Sequence, residues 1–112
     1  MSDRASDPVD HLRRDYRPPF LSYLTNLDER GLSAAYDLGR RAMLRRLGLL
    51  ELVRVHNEVY VEVVSEARTL DEARSLAQAA SAFLLEALAP FEMTQRGFMA
   101  GGGLAASDSG PS

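Results

Sequence analysis

The stretch Leu49 to Ala67, LLELVRVHNEVYVEVVSEA, decides the fold class of this chain. Read at helical spacing, Leu49, Leu52, Val53, His56, Val59, Tyr60, Val63 and Val64 form one apolar stripe. Read in twos, the part from Val59 to Val64 also alternates loosely, and its β-branched valines favour a strand. A lone strand would leave its backbone N–H and C=O groups unpaired, and nothing else in the chain offers itself as a pairing strand. The segment is therefore expected to be a helix, which makes the protein all-α.

Working outward, the preceding segment carries Leu32, Ala35, Tyr36, Gly39, Ala42, Met43 and Leu47 on one helical face. Asn26, three residues before Glu29, fits the start of a capping box, and Gly48 reads as the stop. A glycine at position 39, on the apolar face, implies that another helix passes close by. The opposite face holds Arg40, Arg41, Arg45 and Arg46, with Asp37 one turn before the first two. Before this lies a segment that opens with Asp7 as N-cap and Pro8 at the first helical position. Its stripe runs Val9, Leu12, Tyr16, Phe20, Tyr23, Leu27. Pro18 and Pro19 interrupt it, each removing an amide donor, so a kink or a break into two short helices is expected there.

Downstream, Thr69 with Glu72 announces another capping box, and Leu76, Ala80, Phe83, Ala87 and Phe91 face one way along an Ala-rich helix. Leu84, Leu85 and Leu88 widen that face beyond what one neighbouring helix can cover, so this helix is expected to be central or to pack partly on a second subunit. Pro90 should bend it, and the glycines from Gly97 to Gly101 should end it. No repeat is visible. The whole reads as a four-helix bundle-like domain over residues 8–100, between a disordered N-terminus (1–7) and a disordered Gly/Ser-rich tail (101–112).

The chain of 112 residues is long enough for one core and too short for a catalytic domain beside a regulatory one. A net charge of -3 gives no broad attraction to nucleic acid or to an anionic membrane. The absence of cysteine removes disulfides and thiolate metal sites from consideration. The polar beginning MSDRASDPVD is unlike a signal peptide, and no run approaches the roughly 18 apolar residues of a membrane span, so a cytoplasmic location is expected.

No catalytic constellation stands out: there is no phosphate loop, dinucleotide turn, nucleophile elbow or metal-ligand spacing. Neither a cofactor nor a metal is expected. His11 and His56 are far apart, and His56, on an apolar stripe, reads as a buried histidine bonded to a neighbour, with a proton-sensing or partner-contact role as the alternative. Glu58 and Glu62 fit a solvated face better than acid–base chemistry, since position 58 does not share the helical face of His56. The four arginines fit a wet helix face, or else an anion or an acidic partner. The aromatic residues Tyr16, Phe20, Tyr23, Tyr36, Phe83 and Phe91 all sit at apolar helical positions.

The run AYDLGRRAMLRRLGLLELVRVHNEVYVEVV, from Ala35 to Val64, and AFLLEALAPFEMTQRGFM, from Ala82 to Met99, resemble the N-terminal regulatory domain of RsbU-type phosphoserine phosphatases. Gly39-Arg40-Arg41-Ala42, the stretch from Leu49 to His56, and Leu88 to Met93 with Arg96-Gly97-Phe98 carry the likeness. The resemblance implies a homodimeric four-helix domain sharing its fold with the C-terminal domain of the circadian clock protein KaiA. It also implies receipt of a GHKL-type switch kinase resembling RsbT, in a partner-switching pathway that controls bacterial stress-response sigma factors. The PP2C-type phosphatase domain of such proteins is not in this sequence, so a stand-alone regulator or a piece of a longer protein is expected, and no phosphatase activity carries over. The resemblance places partner contacts at Glu29 and Ser33, with Phe83, Leu84, Ala87 and Leu88 across from them. A second reading of the same residues is a small-ligand sensor with a pocket between Tyr36, His56 and Phe83.

Overall fold

Four helices form from the four segments: α1 (Pro8–Asn26), α2 (Glu29–Leu44), α3 (Leu49–Val64) and α4 (Leu70–Ser107). They are seen in a computed structural model that describes residues 7–107, with side chains for residues 7–93. The described residues include no strand, and the valine-rich part of the deciding stretch is the last third of α3. The remainder of the two expected disordered ends, 1–6 and 108–112, lies outside the described residues.

Asp7 caps α1 as its spacing predicts, its Oδ1 accepting the Val9 N–H at 2.9 Å ahead of Pro8. Of the kink or break expected at Pro18 and Pro19, the break does not occur: α1 is one helix through both. Leu12 and Tyr16 before the prolines and Phe20 and Tyr23 after them are buried in a single core. That shared burial holds the two halves in one helix against the loss of two amide donors.

Helix boundaries are set by residues that give little signal. Asn26 is not the cap of α2 but the last residue of α1, because Leu27 turns left-handed (φ 53°) and its N–H closes on the Tyr23 carbonyl at 2.7 Å. The cap of α2 is Asp28, whose extended backbone lets Oδ1 take the Gly31 N–H at 3.0 Å. Likewise Gly48 is not the stop of α2. The chain turns left-handed two residues earlier, at Arg46 (φ 64°), where the N–H of Leu47 reaches back to the Ala42 carbonyl and that of Arg46 to Met43. Gly48 instead opens α3 with extended backbone, donating its N–H to Glu51 Oε1 at 2.8 Å. Thr69 does precede α4 as expected, its hydroxyl accepting the Glu72 N–H, while the Glu72 carboxylate reaches the Arg68 N–H.

The largest departure from expectation is the length of α4, which continues past Pro90 and through the glycines to Ser107. A glycine inside a helix costs about 1 kcal/mol relative to alanine, which weakens a helix without ending it. A glycine stops a helix by turning left-handed, and no described glycine has positive φ.

The core is built where the stripes meet, around Tyr16 and Phe20 of α1, Leu38 of α2, Leu52 and Val55 of α3, and Phe83 of α4, all fully buried. Burying each of these side chains contributes about 1.5–3 kcal/mol. Leu38 and Val55 lie just off the stripes drawn from spacing alone. Helix α4 packs against the other three, as its wide apolar face suggests. Its approach to α2 is close at Gly39, where an added Cβ would stand 1.9 Å from the Ala87 carbonyl oxygen.

Candidate functional site

His56 is 4% exposed on the inner face of α3. Its Nδ1 lies 2.7 Å from the Tyr16 hydroxyl, and the Phe20 and Tyr60 rings pack on the imidazole, the latter stacked within 5° of parallel. Burial holds the imidazole pKa down, at about 4, and raises that of the Tyr16 hydroxyl. Both groups are thus neutral near pH 7, with the tyrosine donating to Nδ1 when the ring proton sits on Nε2. This is the buried, bonded histidine that the apolar stripe suggests. No acid stands beside it: Glu58 and Glu62 point outward to α1, pairing with Arg13 at 2.8 Å and with Arg17.

The expected ligand pocket between Tyr36, His56 and Phe83 is filled. The rings of Tyr16 and Phe20 each contact both His56 and Phe83 at 5.1–5.8 Å between centroids. Tyr36 is elsewhere, its hydroxyl directed to Met93 Sδ at 3.8 Å. Among the described residues no group of His, Asp or Glu side chains is disposed to hold a metal ion. Nor is any described helix long and apolar enough to cross a membrane.

The candidate docking residues divide into three kinds. Glu29 and Ser33 are exposed on the first turns of α2. Leu84 and Leu88 are half-buried on α4, beside Leu85, which is 67% exposed. Phe83 and Ala87 have no exposed surface: Phe83 is the hub of the aromatic core and Ala87 lies under Gly39. These two are packed into the bundle, because the helical spacing that puts them beside Leu84 and Leu88 also turns them inward.

Tyr23 of α1 stands between the start of α2 and the core face of α4. A Cβ on Gly31, between Glu29 and Ser33 in sequence, would stand 2.7 Å from the Tyr23 ring, and that ring lies 5.9 Å from Phe83. Beside this junction Pro19, Ser22, Asn26, Asp28, Arg30 and Ala34 line a shallow groove between α1 and α2. The α1 side of the junction was not legible as a groove, since Pro19 and Asn26 read as helix punctuation and Ser22 as a solvated position.

A family model, phosphoserine phosphatase RsbU, N-terminal domain, matches residues 14–94. These residues take in most of α1, all of α2 and α3, and α4 past Pro90. No curated protein and no solved structure matches significantly.

Proposed function

The chain belongs to the family of phosphoserine phosphatase RsbU N-terminal domains, and from that premise we propose that it is a non-catalytic regulatory module that works as a homodimer and binds an RsbT-like switch kinase of the GHKL type. The setting is a bacterial partner-switching pathway in the cytoplasm. The observation that carries this reading is the family match over residues 14–94, joined to a bundle whose buried polar pair is locked in packing and whose apolar side chains continue onto the surface of α4.

Docking uses the exposed start of α2, Glu29 and Ser33, with the half-buried Leu84 and Leu88 as the apolar component. Phe83 and Ala87 serve indirectly, by fixing where those leucines stand. A partner acts by population shift: it stabilises the dimer arrangement it binds better, and an attached or associated effector responds to that arrangement. The test is calorimetric titration of the purified chain with the GHKL-type kinase of its own organism. Binding that Glu29→Arg and Leu84→Arg each weaken by about tenfold or more, with helical content preserved, supports the reading. Equal binding by both variants removes this face from it, and no binding by the native chain removes the kinase.

A further inference from the structure

The far end of α2 carries a second surface that the docking face does not use. Arg40, Arg41, Arg45 and Arg46 are all exposed there. Asp15 of α1 stands 3.9 Å from Arg41 and 3.8 Å from Arg45, one carboxylate shared at long range by two guanidinium groups. Asp37 forms no salt bridge with either neighbour, although it lines a shallow groove with Arg40, Arg41 and Leu44. Among the described residues neither Arg40 nor Arg46 has a carboxylate within 4 Å. Four cations thus face two carboxylates on a chain whose net charge is -3, so the local potential opposes that of the rest of the molecule.

Two further features separate this corner from an ordinary solvated helix face. Leu44, at the centre of the arginines, is 72% exposed, and Leu50, just past the turn, is 73% exposed. Arg46 holds a left-handed backbone that favours glycine, with a glycine only two residues away. Arginines at a helix C-terminus complement the negative end of the helix dipole, but that role calls for no leucine among them. An apolar anchor ringed by arginines is the composition of a protein interface core.

We propose that this corner docks an acidic segment of a protein partner, which sets carboxylates on the four arginines and an apolar side chain on Leu44. Carboxylates suit the planar guanidinium fork, and bidentate pairing gives direction as well as attraction. A nucleic acid fits less well, since the chain is acidic overall and the corner has no aromatic residue on which a base could stack. The surface is independent of the docking face at Glu29 and Ser33: Ser33 and Arg45 are about 18 Å apart along the helix axis.

The test follows the backbone amide signals of the full chain by NMR during titration with a synthetic helical peptide built of Glu and Leu. The parallel titrations use the same peptide with Lys for Glu, a short DNA duplex, and phosphatidylserine vesicles. The expected result is saturable shifts confined to residues 40–50 with the Glu peptide alone, weakened about tenfold or more by the Arg40→Glu/Arg46→Glu pair and lost progressively with added salt. Arg46→Gly separates binding from folding, because it relieves the left-handed backbone while deleting a charge; it should bind more weakly yet melt higher. Shifts outside this corner, or undiminished binding by the charge-reversed pair, overturn the proposal. So does tighter binding of DNA or vesicles at the same residues. Shifts of these signals on raising the protein concentration alone would assign the corner to a second copy instead, and equally overturn it. None of these outcomes bears on kinase binding through α2 and α4.

Discussion

His56 shows how one side chain records the balance between core packing and charge. Its depressed pKa, about 4 against the usual 6.5, means that the unfolded chain takes up a proton at a pH where the folded chain resists it. Stability is therefore full above about pH 6.5 and falls as the pH drops toward 4, by about 3 kcal/mol in all. Urea unfolding between pH 7 and pH 4.5 should show this loss, and His56→Gln, which keeps a hydrogen-bonding group but cannot titrate there, should flatten it. A second residue-scale prediction concerns Leu27 and Arg46, the two non-glycine residues with left-handed backbone. Replacing either by glycine should stabilise the fold by about 1 kcal/mol, seen as a rise in melting temperature, because both side chains are exposed and little packing is lost. The burial of His56 was readable from its place on the α3 stripe. Its partner was not: Tyr16 lies 40 residues earlier, and only the packing of α1 on α3 brings the hydroxyl to the ring.

At the level of elements, the apolar periodicity identified all four helices, including the valine-rich α3, because an amphipathic stripe buried on one side is the dominant signal. Their ends were harder to read. Caps at Asp7 and Thr69 follow the usual rules, but α1 and α2 close on Leu27 and Arg46, residue types that do not advertise a left-handed turn. The prolines of α1 do not break it, since burial of a continuous stripe exceeds their local cost, and the glycines of α4 weaken a helix without ending it. Gly39 is where local and tertiary signals agree. An alanine there gains about 1 kcal/mol of helix propensity but drives a methyl group into the Ala87 carbonyl. Helices α2 and α4 must then separate, so Gly39→Ala should lose about 3 kcal/mol or more in denaturant unfolding, while Arg40→Ala, one residue on and exposed, should change little.

For the molecule as a whole, the fold class and family were readable because core spacing and a few short runs of residues carry them through the length of the bundle. The proposed docking face was readable only in part. Sequence placed Phe83, Leu84, Ala87 and Leu88 in one group, and the structure splits that group into two fully buried residues and two half-buried ones, a distinction that depends on which way α4 is turned. The apolar surface left on α4, around Leu84, Leu85 and Leu88, is what a module that works through protein contacts would present. The most direct test is light scattering of the purified chain, alone and mixed with the GHKL-type kinase of its own organism. The account predicts a mass of about twice the 12.3 kDa of one chain, rising on mixing by the mass of bound kinase. A mass of one chain, unchanged by the kinase, would contradict it.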